Sequence, residues 1–169
     1  MAFDGVAMRR ADKAVRHRAW MERVLEEAEV LYLGLASPDG APYVLPLGFG
    51  FESGTIYIHG AGKGLKKDLI EANPRVSFHA SVGLELMRDE IGSEFSMRYR
   101  SIIGFGEARE LLALAEKNHA LAAIMKKYDG PHLDLTEENK GAVWVARIDI
   151  REMTGKVSGY PHPEREAAR

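Results

Sequence analysis

The segment IYIHGAGKGLKKDLIEANPRVSF, residues 56–78, places three glycines and three lysines in eight consecutive positions after an apolar run. The alternation before the glycines predicts a strand, and a short helical pattern then ends at Asn73-Pro74. Glycines let backbone N–H groups approach an anion closely, and a helix beginning near Gly64 directs its positive end toward that anion. The spacing alone leaves two interpretations open, an anion-binding loop and a flexible loop with solvated lysines.

Two common nucleotide-binding motifs do not fit this segment. A P-loop needs a second glycine five positions after the first, followed by lysine and a hydroxyl residue. Leu65 stands five positions after Gly60, and no serine or threonine follows the lysines. A dinucleotide fingerprint needs glycines at relative positions 1, 3 and 6, and Leu65 again occupies the last of these. The segment is therefore neither of these loops.

The rest of the chain has mainly the patterns of strands joined by tight turns. Period-two alternation and turn residues predict an antiparallel meander that continues into a small barrel with α-helical additions. Residues 83–95 are of mixed character and fit either a loop or a frayed strand. The predicted strands are 30–36, 42–52, 55–59, 75–81, 96–112 and 142–153, the predicted helices besides the short one are 12–29 and 113–128, and 157–169 are expected to form a loose polar tail.

The composition limits the possible chemistry. The chain has 169 residues, enough for one domain with its own core, and a net charge of −2, which predicts no attraction to nucleic acid or to an anionic membrane. It contains no cysteine, so disulfides, thiolate metal sites and cysteine nucleophiles are excluded. No apolar signal segment or membrane-length run is present, which predicts a cytoplasmic protein. A bound cofactor would have to supply any redox chemistry.

Three segments together resemble one known family. Residues 42–78, the segment SMRYRSIIGFGEA (96–108) and the segment ARIDIREMTGK (146–156) are similar to the FMN-binding split-barrel proteins, which are also called pyridoxamine-phosphate-oxidase-like. The last two segments resemble the Nim-type nitroimidazole-resistance branch in particular. The resemblance covers about residues 8–157, and it implies a domain over 1–157 followed by a polar tail.

The fold that this resemblance implies is mainly β with α additions, a six-stranded antiparallel split barrel. The family forms homodimers and binds FMN in clefts at the subunit interface. A true pyridoxamine-phosphate oxidase also has a substrate-binding C-terminal segment, and none is evident after Gly155. The resemblance therefore does not extend to that activity.

The resemblance also assigns cofactor-binding roles to residues of this chain. Lys66 stands seven positions before Asn73, as does the lysine that contacts the FMN phosphate in the family pattern. Other split barrels often carry serine or threonine and then arginine just before that lysine, whereas Gly64 and Leu65 stand there in this chain, so backbone amides or the neighbouring lysines would have to compensate. The remaining implied contacts are His59, Gly60 and Ala61 beside the ribityl chain and ring, Leu45, Pro46 and Leu47 through their backbone, and Tyr99 and Ser101 from the partner subunit.

His59 has two open interpretations. Its side chain titrates near neutrality, so it is the candidate catalytic residue, donating a proton during reduction. It is equally well a strand-end histidine that only packs or forms a hydrogen bond. His59 and His79 lack a nearby carboxylate, so no metal site is predicted.

The expected function is an FMN-dependent oxidoreductase. Electrons would pass from a transient NADH or NADPH to a small oxidised acceptor, such as a nitroaromatic compound or a quinone, because the sequence has no Rossmann unit to retain a nicotinamide. One alternative is a binding or storage protein for flavin or haem without turnover, with His59 as a possible axial haem ligand. Another is a deazaflavin-using relative.

Overall fold

The computed structural model describes residues 8–92 and 95–166 of the chain. A 3-10 turn over Ala11–Lys13 comes before the first strand. The strands are β1 (Ala14–Val15), β2 (Leu31–Ala36), β3 (Pro42–Leu47), β4 (Gly50–Glu52), β5 (Thr55–Ala61), β6 (Arg75–Met87), β7 (Ser96–Glu110) and β8 (Val143–Ser158), and the helices are α1 (Arg18–Glu27), α2 (Leu65–Ala72), α3 (Leu114–Lys127) and α4 (Pro163–Glu166).

The strands form one antiparallel sheet. Its order is β3-β2-β6-β7-β8-β5-β4, and β1 pairs with the far end of β8. Six strands are longer than three residues, which matches the six of the expected barrel, and β1 and β4 are short additions. β3 and β4 lie at opposite ends of this order although they are adjacent in the sequence, so the chain joins the two edges without closing the ladder. The expected split-barrel fold is confirmed.

The prediction of one strand over residues 42–52 was wrong. The strand breaks at Gly48-Phe49, and Phe49 is fully buried. Its N–H donates to the hydroxyl of Tyr128 at 3.0 Å, and that hydroxyl donates to the Glu29 carbonyl at 2.7 Å. A Cβ at Gly50 would lie 2.7 Å from the backbone nitrogen of Ile124. The glycine therefore lets α3 pack directly on the crossing point and hold it.

The split itself follows from the strand register. β4 pairs with β5 only over Thr55–Tyr57, while β8 pairs with β5 on its other edge as far as Ala61. Within residues 8–92 and 95–166, the last part of β5 thus lacks a strand partner on the β4 side, and β3 lacks one on the side away from β2. The sheet is therefore open between β3 and the last part of β5, and this opening is the gap.

The core has two parts on opposite faces of the sheet. The larger cluster fills the barrel interior and includes the apolar side of α1, where Trp20, Met21, Val24 and Leu25 are all buried. The smaller cluster packs α3 against the outer faces of β5 and β8 through Tyr57, Leu121 and Val145, among others. Burial of each large aliphatic side chain contributes roughly 1.5–3 kcal/mol, so both clusters fix the strands that border the gap.

Both ends of the chain differ from the prediction. The first helix begins at Arg18, not at residue 12, because the ring of His17 accepts the N–H of Trp20 and caps it. The tail is not loose between residues 157 and 164. β8 continues to Ser158, and the Glu164 carboxylate accepts the backbone N–H groups of residues 16 and 17 at 2.6 and 2.8 Å.

The middle segment and the remaining helix boundaries are close to expectation. Residues 83–95 fit in part the frayed-strand interpretation, since β6 extends to Met87 after a bulge between Val82 and Glu85. β7 and α3 lie within two residues of their predicted ends. Among the described residues, no helix is long and apolar enough to cross a membrane.

Candidate functional site at the end of β5

The side chain of Lys66 is hydrogen-bonded to the backbone near the end of β5. Its ammonium group donates a hydrogen bond of 2.8 Å to the backbone carbonyl of His59. A Cβ at Gly60 would lie 2.8 Å from the same nitrogen, so the ammonium group occupies space that only a glycine leaves free. The cation therefore sits directly against the backbone of the predicted cofactor loop.

Trp144 forms the floor beneath this cation. Trp144 lies on β8 directly opposite Gly60 of β5, and the Lys66 ammonium lies 5.4 Å from the centre of its ring. The indole is almost fully buried and belongs to the core cluster inside the barrel. Trp144 is therefore a packing residue of the barrel, and the same ring also makes a cation–π contact with Lys66. Its indole nitrogen is buried and lacks a hydrogen-bond partner among the described residues.

His59 and Lys66 approach β5 from opposite faces. Side chains alternate along a strand, and Gly60 faces Trp144 and the barrel interior. The His59 ring consequently lies on the outer face, where it is accessible to solvent although neighbouring groups partly desolvate it. The two predicted residues are thus neighbours through the backbone, not through their side chains.

The pKa values of both His59 and Lys66 are lowered at this site. Partial burial, and secondly the charge of Lys66, lower the pKa of His59 below its usual value. Partial burial also lowers the pKa of Lys66. Burial disfavours the protonated form of each group, and no carboxylate within the described part of the chain forms a salt bridge with either to offset it. An added anion would reverse this deficit.

The start of α2 adds donors beside Lys66. Gly64 precedes the helix with a φ of 130°, a conformation that suits glycine, and no side chain of the described residues caps the first turn. The helix is eight residues long, and its positive end faces the glycine-rich loop. An uncapped helix start beside a half-buried ammonium group fits a phosphate, so the residues present are suited to the anionic part of a flavin nucleotide.

Lys67 differs from Lys66. It pairs with Glu71 on the same helix and lies 3.4 Å from Glu110. These carboxylates raise the pKa of Lys67. Lys67 is therefore neutralised by carboxylates of the protein, whereas Lys66 forms no salt bridge within the described residues.

The predicted contacts on β3 lie across the gap. Leu45 and Leu47 are half-buried and pack on the barrel core, while Pro46 is exposed and stands opposite Tyr32. Backbone groups point alternately to the two edges of a strand, so only part of the N–H and C=O groups of this segment faces the open edge of β3, and Pro46 has no N–H to donate there. Leu45–Leu47 and His59–Ala61 thus lie on the two strand edges that border the opening of the sheet.

Tyr99 and Ser101 are not part of this arrangement within one chain. They pair with Ser158 and Lys156, at the far end of β8 from Trp144. Residues 144 to 156 correspond to about 40 Å of strand, at ~3.3 Å per residue. The site as predicted is therefore divided between two distant regions of the chain.

Sequence analysis missed the residues beside Tyr99 and Ser101. Lys156 stands opposite Ser101, and Lys13 donates a hydrogen bond of 2.8 Å to the Ser158 hydroxyl. The predicted strand ended at residue 153, before Lys156. Small and apolar residues still alternate with a polar one over Gly155, Lys156 and Val157. Gly155 and Val157 are buried and Lys156 is half-buried, so the lysine lies on the outer face of the strand.

A second depression lies on the outer face of β5. It has a volume of about 340 Å³ and is lined by Tyr57, Leu111, Ala115, Glu116, His119 and Arg147. Its charged groups pair with side chains outside the lining, as in the 2.8 Å contact of His119 with Glu52, but the Nε of Arg147 is buried without a hydrogen-bond partner among the described residues. No group of three or more potential metal ligands is found in the described ranges.

The sequence and the fold agree with one family. The family described as pyridoxamine 5'-phosphate oxidase matches residues 17–157, most of this chain. The chain belongs to this family. The matched residues include β5, the glycine-rich loop, α2 and nearly all of β8. The candidate site therefore lies within the family domain.

Solved structures of other members have the same fold. A protein from Bacteroides thetaiotaomicron, to which 5-nitroimidazole antibiotic resistance is ascribed, is 28% identical with a TM-score of 0.76, covering 85% of this chain and 86% of that one. A flavocytochrome from Azotobacter vinelandii is 22% identical with a TM-score of 0.75, covering 95% and 78%. An FAD- and haem-binding protein from Mycobacterium smegmatis is 20% identical with a TM-score of 0.75, covering 92% and 79%. No protein of curated function matches the sequence significantly.

Proposed function

We propose that this protein binds a flavin nucleotide, FMN in the first instance, and acts as an oxidoreductase. The observation that carries the proposal is the Lys66 ammonium group, half-buried beside the uncapped start of α2 and without a carboxylate partner in the described residues. The likeness to the B. thetaiotaomicron protein supports a Nim-type, nitroreductase-like role. The bound flavin would accept electrons from NADH or NADPH and deliver them to a small oxidised acceptor.

The residues of the gap would bind and orient the cofactor. Lys66 and the first N–H groups of α2 would hold the phosphate, and the open backbone edge of Leu45–Leu47 would provide hydrogen bonds to the polar edge of the ring. His59 would provide a proton from the outer face of β5. Its lowered pKa keeps the ring mostly neutral at pH 7, so it would act after taking up a proton from solvent.

The proposal includes a homodimer. Tyr99 and Ser101 lie too far along the sheet to reach the gap of their own chain. A second copy in which these residues approach the Lys66 side would complete the site, and this matches the subunit-interface site that the resemblance implies. Size-exclusion chromatography with light scattering, expected to give twice the 18.8 kDa of the chain, tests this part.

Spectra of the purified protein test the cofactor. Absorption in the near-UV and blue, or its appearance with added FMN, is expected, followed by bleaching with NADH or NADPH and recovery with a nitroaromatic compound. Lys66→Gln is expected to weaken FMN binding about tenfold or more, while riboflavin, which lacks the phosphate, binds both proteins equally. Lys126→Gln is the matched control, because Lys126 is exposed on α3. A protein that binds neither FMN nor FAD would refute the proposal.

One observation favours a second candidate function, haem binding without turnover. The His59 ring is exposed, and its lowered pKa favours the neutral form that binds iron. Two proteins of the same fold are named for flavin together with haem or cytochrome. A Soret band that His59→Ala abolishes, without any nicotinamide-dependent reduction, would favour this function over the first.

A further inference from the structure

Lys117 is a buried lysine on α3. It is 5% exposed, and it is the only lysine that is buried among residues 8–92 and 95–166. Its ammonium group donates hydrogen bonds to the backbone carbonyls of Lys140 at 2.8 Å and Val143 at 2.9 Å. A buried charge is costly unless hydrogen bonds satisfy it, and lysines are rarely buried without such partners. We therefore look for the role of Lys117 in the backbone that it holds.

The two carbonyls lie at the ends of a short segment that leads into β8. Residues 140–143 form this entry segment of β8. The N–H groups of Lys140 and Ala142 donate to the carbonyls of Thr136 and Asn139, at 2.9 and 2.8 Å, so the segment is also linked to the turn that precedes it. Lys117 thus ties both ends of the entry segment to α3.

The entry segment lies beside the glycine-rich loop. Val143 pairs with Ala61, the last residue of β5. Beyond this pair, the carbonyl oxygen of Gly141 lies 3.5 Å from the position that a Cβ on Gly62 would take. A Cβ on Gly141 itself would meet nothing within 4 Å, so this approach involves the backbone alone. Lys117 therefore fixes the backbone that borders the loop.

The same segment sets the position of Trp144. This residue directly follows Val143 and stands opposite Gly60, and its ring lies 5.4 Å from the Lys66 ammonium group. A movement of the entry segment would consequently move the ring beneath the cation as well as the backbone beside the loop. Both movements would act on the end of the site at which we place the phosphate.

We propose that Lys117 is a positioning residue for the phosphate end of the flavin site. It holds the entry segment of β8, and the segment sets how closely the amide groups of the glycine-rich loop and the Lys66 ammonium group approach the phosphate. Lys117 acts through this backbone and is not itself a phosphate ligand. The inference rests on the proposed function, because the phosphate is that of the proposed flavin nucleotide.

Asn118, the next residue of α3, provides a matched comparison. Its side-chain amide donates to the Leu135 carbonyl at 3.0 Å and accepts the Leu135 N–H at 2.8 Å. Two hydrogen bonds thus anchor the earlier part of the α3–β8 connection, as two from Lys117 anchor its end. Leu135 packs in the smaller core cluster, on the outer side of the sheet. Loss of either anchor should loosen the connection, but Lys117 is the anchor of the segment beside Gly62.

The variants Lys117→Met and Asn118→Leu test the proposal. Each removes two hydrogen bonds and introduces an apolar side chain of similar size, so both are expected to lower the urea midpoint of unfolding. Lys117→Met should weaken FMN binding about tenfold and riboflavin binding much less, whereas Asn118→Leu should leave the ratio of the two affinities unchanged. An unchanged ratio in Lys117→Met, or the same change in both variants, would overturn the positioning role. If Lys117→Met does not fold, Lys117→Gln, which keeps one donor group, takes its place in the same assay.

A measurement without cofactor separates this inference from the proposed function. In ¹⁵N-labelled, flavin-free protein, Lys117→Met is expected to shift the amide signals of Ala61 and Gly62, and Asn118→Leu should leave them in place. Unshifted signals in Lys117→Met would overturn the inference whether or not flavin binds. Shifted signals in a protein that binds no flavin would instead refute the proposed function and the phosphate assignment, while the link from Lys117 to the loop would stand.

Discussion

The Lys66 ammonium group donates a 2.8 Å hydrogen bond to the backbone carbonyl of His59, the residue at which β5 approaches its end. This bond ties the first turn of α2 to the strand across the whole glycine-rich loop. It fixes the cation by a backbone contact, and the His59 ring remains free on the other face of β5. The position of the positive charge and the position of the titratable ring can therefore be tested independently.

The pKa of His59 is the first test. Burial lowers it first and Lys66 second, so Lys66→Gln is expected to raise the pKa while leaving it below the usual 6.5. NMR titration of the ring protons measures it, with Lys63→Gln as the control. The sign for stability follows from the lowered pKa: the unfolded chain takes up the proton first, so this group lowers the free energy of unfolding as the pH falls from 6.5 through the folded-state pKa. A pKa that does not change in Lys66→Gln would contradict the proximity of the two charges.

Gly60→Ala should displace the ammonium group without unfolding the protein. The new Cβ would lie 2.8 Å from Nζ of Lys66, the mobile end of a long side chain, so the lysine can move away at small cost. We expect the FMN affinity to fall about tenfold, the riboflavin affinity to stay constant, and the thermal midpoint to change little. Gly141→Ala, in a neighbouring loop with open space around its Cβ, is the control. A variant that binds FMN as the parent does would show that Lys66 is not held there by the glycine.

Gly104→Ala should destabilise the barrel itself. Gly104 pairs with Phe78 across β6 and β7, and an added Cβ would overlap the buried Phe78 ring. Because that ring is enclosed by the core, we expect a loss of about 1–3 kcal/mol in the free energy of unfolding, measured by urea denaturation. The double variant Gly104→Ala/Phe78→Leu should recover part of the loss. No recovery would mean that the overlap with Phe78 is not the cause.

Tyr128→Phe tests the crossing between β3 and β4. The hydroxyl links the N–H of Phe49 to the carbonyl of Glu29, so its removal leaves a buried N–H without a partner. The expected loss in the free energy of unfolding is about 1–3 kcal/mol. Tyr32→Phe is the control, since the Tyr32 ring is 45% exposed on the outer face of the sheet. Equal stability of the two variants would contradict a role for the Tyr128 hydroxyl in holding the split.

Local patterns predicted most of the strands because their information lies in adjacent residues. A short apolar run marked β2, alternation marked β5 and β7, and Asn73-Pro74 marked the end of α2, which ends at Ala72. The break at Gly48-Phe49 could not be predicted in this way, because it depends on residues some seventy positions later in the chain. There α3 packs against Gly50, and the Tyr128 hydroxyl accepts the N–H of Phe49. The end of β8 was missed for a similar reason, since its last residues are strand only because β1 and β7 pair with them.

By itself, the sequence determined the strand–loop–helix unit with its glycines and lysines, the family resemblance, and the choice of Lys66 by its distance from Asn73. Only the tertiary structure decided that Lys66 is unneutralised while Lys67 pairs with Glu71 and Glu110, and that His59 faces away from the cation. It also decided that Ser101 shares a face with Lys156. The physical reason is that charge compensation and side-chain facing depend on cross-strand and cross-element neighbours, which are distant in the chain and carry no signal in its local pattern.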